Sequence, residues 1–274
     1  MELLHGIIYG MIAGFAEFFP ASALAHEKFF VLFSGVQVNP LLRTSAVLGC
    51  LMAVLFLFHK QLRHIQREMR IASTKKHRRL RQPDMSAVAD GKMIWTTVLP
   101  VLAGLLLQRY VPDLFSQLWF MALVFMLNGA MLYAMQFMSG GTRNSRSLSR
   151  MDGYLYGLCG AFAVIPGLSR VTNILFVGHL RKCDRSYITD MTVLLAIPWL
   201  IGMLIFHLIP MIAALGSLTF LSWIGAILGA AAAFAAACGA ISLMRYFAVR
   251  IGFQVFAFYS WAIGFISFIL YLMI

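Results

Sequence analysis

Apolar runs long enough to cross a bilayer alternate with short polar or basic stretches along the whole chain. Three occupy the first half, at 44–58, 93–107 (with Pro100 inside) and 118–138, and three the second, at 188–208, 218–244 and 253–274. Each set of three is preceded by an apolar run that a helix breaker interrupts. The first, 3–19, ends at Pro20, and the second, 154–176, is broken at Pro166-Gly167. Proline lacks an N–H and fixes φ, so a helix stops there. At about 17 residues, the first run falls short of the ~20 that a spanning helix needs. Irregular backbone at membrane depth is tolerated only where protein or a cavity covers it. The pattern therefore predicts two broken, re-entrant hairpins, the first followed by a short apolar run, 29–38, that leads to Pro40. Gly6, Gly10 and Gly14 recur every fourth residue, which lets another backbone approach closely and packs helices together.

Composition agrees with a membrane protein. The 274 residues are 61% hydrophobic and 12% charged, with a mean hydropathy of +0.83, against about 25% charge in an ordinary soluble domain. The chain leaves no room for a separate soluble domain, so one membrane domain, 1–274, is expected. Four scattered cysteines, Cys50, Cys159, Cys183 and Cys238, lack metal-type spacing and read as small buried hydrophobes. The first apolar run holds Glu17 and lacks both a basic leader and a small-residue cleavage site, so it is read as a retained segment.

Charge sets the orientation. Of the net +12, much comes from residues 60–92, which hold 10 of the 22 Lys and Arg and read as a basic loop between spans. Positive loops mark the cytoplasmic side and meet anionic lipid heads, a better account of the charge than nucleic-acid binding. Two spans later come Arg143, Arg146 and Arg150, then Arg181, Lys182 and Arg185, then Arg245 and Arg250, whereas 210–217 carries no charge. Arg109 and Asp113 lie in a short loop between the second and third spans. If every basic cluster is cytoplasmic, the hairpin at 154–180 enters and leaves on that side. The first hairpin must then enter from outside, with both termini outside. The expected fold is an all-α polytopic membrane protein of two inverted-topology repeats, about 1–138 (with the basic cytoplasmic loop 59–92) and 152–274. Each is a broken re-entrant hairpin plus three transmembrane helices, an arrangement that builds polar sites near the midplane.

Candidate chemistry lies at the two breaks. Glu17 is an ionisable group at membrane depth, where it needs a partner, a wet cavity or a function. The second break reads Ile165-Pro166-Gly167-Leu168-Ser169-Arg170, and Arg170 is the expected partner. Guanidinium stays charged when buried, and its planar fork suits phosphate oxygens. With the N–H groups freed at Pro166-Gly167, the turn reads either as a small anion cradle or as a turn whose arginine snorkels or pairs structurally with Glu17. His207, within a span, reads as a satisfied structural group, Asp190 as a helix-start or interfacial charge, and His59, His64 and His77 as part of the basic stretch. Glu27 reads either as a second site carboxylate or as a surface charge paired with Lys28.

These two segments resemble the signature regions of the undecaprenyl pyrophosphate phosphatase family of the bacitracin-resistance type. Its first motif reads Glu-Gly-x-x-Glu-Phe-x-Pro-x-Ser-Ser-x-x-His and its second Pro-Gly-x-Ser-Arg-Ser-Gly. Chain length, span count and motif placement match over the whole chain. The resemblance implies a bacterial plasma-membrane enzyme that removes the terminal phosphate of a polyprenyl (undecaprenyl) diphosphate carrier lipid, with a divalent cation, Mg²⁺ or Ca²⁺. It maps Glu17, Ser22 and His26 onto the first motif, and Gly167, Ser169 and Arg170 onto the second. Three positions depart from it: Ala13 replaces the first glutamate, Ala23 the second serine, and Val171-Thr172 the Ser-Gly.

By that resemblance Glu17 is the cation ligand or orients His26, which attacks phosphorus or activates water. Arg170, with the N–H groups of 167–170, neutralises the diphosphate, and Ser22 and Ser169 help bind it. A serine nucleophile at position 23 is excluded. Two other classes fit the pattern: a non-catalytic transporter or flippase of a polyprenyl phosphate or related anionic lipid, and a scaffold that keeps only the fold. Self-association as a homodimer is left open.

Overall fold

A computed structural model describes residues 2–74, 81–109, 115, 117–138 and 140–273, so His77, Asp113 and both terminal residues lie outside the described residues. The chain is all helical. Its helices are α1 (Glu2–Phe18), α2 (Ala23–Ser34), α3 (Pro40–Leu57), α4 (His59–Ser73), α5 (Met85–Thr96), α6 (Val98–Gln108) and α7 (Leu118–Ala134). In the second half come α8 (Arg150–Ala161), α9 (Arg170–Leu180), α10 (Arg185–Leu194), α11 (Ala196–Ala213), α12 (Phe220–Arg250) and α13 (Gln254–Met273).

Among the described residues, six helical segments are long and apolar enough to cross a membrane: Pro40–Leu57, Met85–Gln108, Leu118–Phe137, Arg185–Ala213, Phe220–Arg250 and Gln254–Met273. This is a multi-pass membrane protein, with three such segments in each half, as the hydropathy pattern predicts. Large apolar side chains such as Phe56, Leu106, Ile209, Phe220 and Leu272 stand on the outside of the bundle. In lipid that is the favourable place for them.

The breaks fall where the sequence puts them. α1 stops two residues before Pro20, and α8 gives way to a 3₁₀ turn, Phe162–Val164, ahead of Pro166. The helices on either side of the breaks have 17, 12, 12 and 11 residues. At 1.5 Å per residue, each is shorter than the ~30 Å hydrocarbon layer.

The glycine row of α1 seats it on α12. Gly6, Gly10 and Gly14 face the carbonyls of Gly225, Gly229 and Ala233, so close that a Cβ at any of the three would overlap the partner backbone. Because the matched positions rise together, the two helices run parallel.

The basic stretch departs from expectation. Residues 60–73 and 85–92 are helical rather than loop. Most of the first half of the stretch is α4, and the next helix begins at Met85 and carries Asp90 and Lys92. In α4 the buried positions are Ile65 and Glu68, while Ile65 and Met69 close over Gly91 of α5. An overall polar composition hid this narrow apolar stripe. Glu68 is held by the Arg81 guanidinium and the Asp84 N–H, at 3.1 and 2.9 Å.

The remaining basic segments gather at one end of the bundle. Arg143 pairs in an isolated bridge with Cys183, and both Arg143 and Arg181 reach the buried carboxylate of Asp152. Arg146 reaches Ser86, and Arg245 pairs with Asp190.

Candidate active site

The two breaks meet inside the bundle, and serine caps shape both. Ser22 caps α2 by accepting the Ala25 N–H, and Ser169 caps α9 by accepting the Thr172 N–H. Such caps satisfy N–H groups that a helix start otherwise leaves open. The same two hydroxyls join the breaks. Ser22 Oγ accepts the Gly167 N–H at 3.0 Å, and Ser169 Oγ donates to the Phe19 carbonyl at 3.5 Å. Gly167 has φ +101°, a left-handed conformation that suits glycine, and is packed against Val124.

One amide in the middle of α7 ties the breaks together. Asn128 is fully buried, donates to the Pro20 carbonyl at 3.4 Å and to Ser260 Oγ at 3.1 Å, and accepts the Ser169 N–H at 3.1 Å. Sequence reasoning passed over it. An asparagine inside an otherwise apolar span was the available signal.

The N–H groups that Pro166-Gly167 releases from helix are therefore not open to an anion. Gly167 N–H goes to Ser22, Leu168 N–H to the Ile165 carbonyl and Ser169 N–H to Asn128. Backbone polarity at this break is spent on locking the two halves together.

Glu17, near the end of α1, and Arg170, the first residue of α9, form the expected ion pair. Arg170 Nε donates to Glu17 Oε1 at 3.1 Å, with side-chain exposures of only 5% for Arg170 and 14% for Glu17. The guanidinium also donates to the Glu17 carbonyl at 3.3 Å and to the Thr192 carbonyl of α10 at 3.2 Å. A guanidinium has five N–H donors, so two remain without an acceptor among the described residues.

This pair lines a cavity of ≈ 300 Å³. Its walls are helix faces at helical spacing: Tyr9, Ala13 and Glu17 of α1, Arg43, Val47 and Cys50 of α3, and Trp199, Met203 and His207 of α11. Ala23 and Glu27 of α2 and Gln108 at the end of α6 also line it. Glu27 is not a surface charge. One of its oxygens pairs with Arg43, and the other accepts the Tyr9 hydroxyl at 2.7 Å. His207 is not satisfied, since its Nε2 is buried without a partner among the described residues.

His26 faces elsewhere. Its Nδ1 meets the Ser22 carbonyl at 2.7 Å and its Nε2 the Tyr259 hydroxyl at 2.6 Å, in an apolar recess that it shares with Phe15 and Tyr259. The structure thus brings Glu17, Arg170, Ser22, Gly167 and Ser169 together. His26 touches that group through Ser22 alone.

The donor set does not fit a divalent cation held by the protein. Ca²⁺ wants about six to eight oxygen ligands, and Mg²⁺ one or two carboxylates together with waters and substrate phosphates. Here Glu17 is paired with Arg170, Glu27 with Arg43 and Tyr9, and position 13 is alanine. No group of three or more His, Cys, Asp or Glu side chains gathers among the described residues.

The family described as bacitracin resistance protein BacA matches residues 6–266. An undecaprenyl-diphosphatase of Methanobrevibacter smithii is 27% identical over 274 residues, covering 98% of this chain and 97% of that protein. The undecaprenyl-diphosphatases of a Nocardioides species and of Micrococcus luteus are 29% and 30% identical, over 76% and 72% of this chain and 75% and 71% of their own.

Proposed function

Because this chain belongs to the BacA family of bacitracin resistance proteins, we propose that it is a membrane hydrolase that removes the terminal phosphate of undecaprenyl diphosphate. Water and the diphosphate yield the carrier monophosphate and inorganic phosphate, which returns the lipid to cell-wall synthesis. The observation that carries this reading is the buried Glu17–Arg170 pair, formed between the two motif segments on the wall of a cavity.

Each residue then has a task. Arg170 offers its two unused N–H donors to phosphate oxygens and neutralises charge building on the bridging oxygen as the P–O bond breaks. Glu17, with one oxygen on Arg170 and the other without a donor among the described residues, takes a proton from the attacking water. Ser22, Gly167 and Ser169 keep the two breaks in register. His26, held by the Ser22 carbonyl and Tyr259, supports that register from the far side and is a positioning residue in this scheme. No step is drawn through a metal ion, because no group of three or more His, Cys, Asp or Glu side chains gathers into a cation site among the described residues.

In the membrane, we place the two broken helix pairs, α1–α2 and α8–α9, as re-entrant hairpins of inverted repeats that enter from opposite faces. Their short helices support this, as does the parallel run of α1 with α12, whose C-terminal end carries Arg245 and Arg250 at the basic end of the bundle. The basic end then faces the cytoplasm of a bacterial cell, with α4 against anionic lipid heads, and both chain termini lie outside.

Purified protein in detergent, given undecaprenyl diphosphate, is expected to release inorganic phosphate. Arg170→Gln is expected to lower the rate by about 10²-fold or more. Absence of release from the wild-type protein overturns the reading.

A further inference from the structure

Six buried side-chain nitrogen or oxygen atoms have no hydrogen-bond partner among the described residues, and three of them belong to one cavity: Arg43 Nε, Gln108 Oε1 and His207 Nε2. They come from three different helices, α3, α6 and α11. His207 is only 5% exposed. Native interiors pair such atoms almost without exception, so a cluster of them around one cavity points to a missing polar occupant.

Their chemistry describes that occupant. Arg43 keeps a permanent positive charge, is held in place through Glu27 and presents a free N–H donor. The imidazole of His207 donates or accepts according to tautomer, and Gln108 offers an acceptor oxygen. A terminal or free phosphate, whose second proton leaves near pKa 6, presents anionic oxygens and, in part, a hydroxyl, which matches donors and acceptor together, while a lipid-side phosphate presents anionic oxygens alone to Arg43 and His207.

Position matters equally. Tyr9, Ala13 and Glu17 succeed one another at four-residue spacing on one face of α1. The Glu27–Arg43–Tyr9 cluster therefore lies two turns from the Glu17–Arg170 pair, roughly 12 Å along the helix axis. Ala13 between them leaves the gap open.

We propose that Arg43, His207 and Gln108 form a second phosphate subsite, which holds one phosphate while Arg170 meets the other. The identity of the ligand as a lipid diphosphate rests on the phosphatase reading above. The subsite itself serves either the far phosphate of that lipid or the inorganic phosphate released from it.

Binding to the purified full-length protein in detergent, measured by calorimetry, tests this with three probes: undecaprenyl diphosphate, undecaprenyl phosphate and inorganic phosphate. The wild-type protein is expected to prefer the diphosphate. Arg43→Gln/Glu27→Gln, which removes both charges of the pair at once, and His207→Asn, which removes Nε2, are expected to weaken diphosphate binding at least tenfold. Monophosphate binding is expected to change less than threefold. Loss of inorganic phosphate binding in the same variants assigns the subsite to the product, and retained phosphate binding with weakened diphosphate binding assigns it to the lipid. Should the double variant not fold, His207→Asn and Gln108→Ala carry the test. Diphosphate and phosphate affinities both equal to wild type in these variants overturn the subsite. If such variants also keep wild-type phosphate release, the phosphatase reading survives alone. Arg43-dependent binding without any release by the wild-type protein leaves the subsite standing and removes the phosphatase. Wild-type protein that binds none of the three probes overturns both.

Discussion

Ser22 Oγ accepts the backbone N–H of Gly167 at 3.0 Å across 145 residues of sequence, while capping the helix that begins beside it. One hydroxyl thus shapes the first break and fastens it to the second. Ser22→Ala removes a helix cap, worth about 1 kcal/mol, and leaves the Gly167 N–H buried and unpaired, at about 1–3 kcal/mol more. A drop in melting temperature in detergent is expected, together with slower phosphate release. Ser22→Thr, which keeps the hydroxyl, is expected to retain most of both.

The Glu17–Arg170 pair separates stability from catalysis. Removing either charge alone strands the other in a buried place, at about 3–5 kcal/mol. The double variant Glu17→Gln/Arg170→Gln is expected to regain much of that stability and none of the activity. Thermal unfolding and phosphate release, measured on the same three preparations, check this. Recovery of activity in the double variant would contradict the assigned roles.

The α1–α12 contact makes a sharp prediction about glycine. Gly10→Ala places a methyl group where the Gly229 carbonyl already lies, so the helices must separate, and large loss of folded protein is expected. Gly239→Ala, on α12 with open space around it, is the control and is expected to fold normally. Yield of monodisperse protein by size exclusion reads the difference.

Stability at low pH reports on the basic end. Burial works against ionising Asp152, yet hydrogen bonds from Arg181 and Ser149, with the Arg181 charge, hold its carboxyl below the usual carboxylate range. A depressed folded pKa contributes stability that is present above the unfolded value, near 3.9, and is lost as pH falls through the folded one. Wild-type protein is expected to lose stability as pH drops below about 4. Asp152→Asn is expected to be less stable at neutral pH and to show a shallower fall. Melting curves between pH 3 and 7 measure both.

His26 and Tyr259 test the far side of the site. Tyr259→Phe removes one of the two partners of the imidazole and is expected to change phosphate release less than threefold. His26→Ala removes the support of the Ser22 carbonyl as well and is expected to slow it further, without altering the shape of the pH profile. A profile that loses one limb in His26→Ala would instead make His26 the base.

Local signals were legible, and those that depend on assembly were not. Pro20 and Pro166-Gly167 break helices by their own covalent geometry, so both turns could be placed without a structure. The expense of charge in lipid led from Glu17 to Arg170, because two lone charges at two breaks have few other solutions. Arg43, Glu27 and Tyr9 come together from three helices, and nothing in their spacing announces it. His207 looked like an ordinary core histidine, since the lack of a partner is visible only once every neighbour is known. The helix α4 was hidden by its overall polarity, although Leu62, Ile65 and Met69 recur at helical period among its charges. The direction of the His26 ring depends on Tyr259, 233 residues away, which no local pattern encodes.

Asn128 carries a further consequence. Its carboxamide donates to the Pro20 carbonyl and accepts from the Ser169 N–H, so both bonds form only when the two turns stand one amide group apart. Asn128 and Ser169 are both buried, so solvent offers neither bond a ready substitute. The side chain therefore acts as a spacer gauge: the separation between the halves of the protein is metered by the length of a single amide, and any motion that widens it must first break a bond with no substitute.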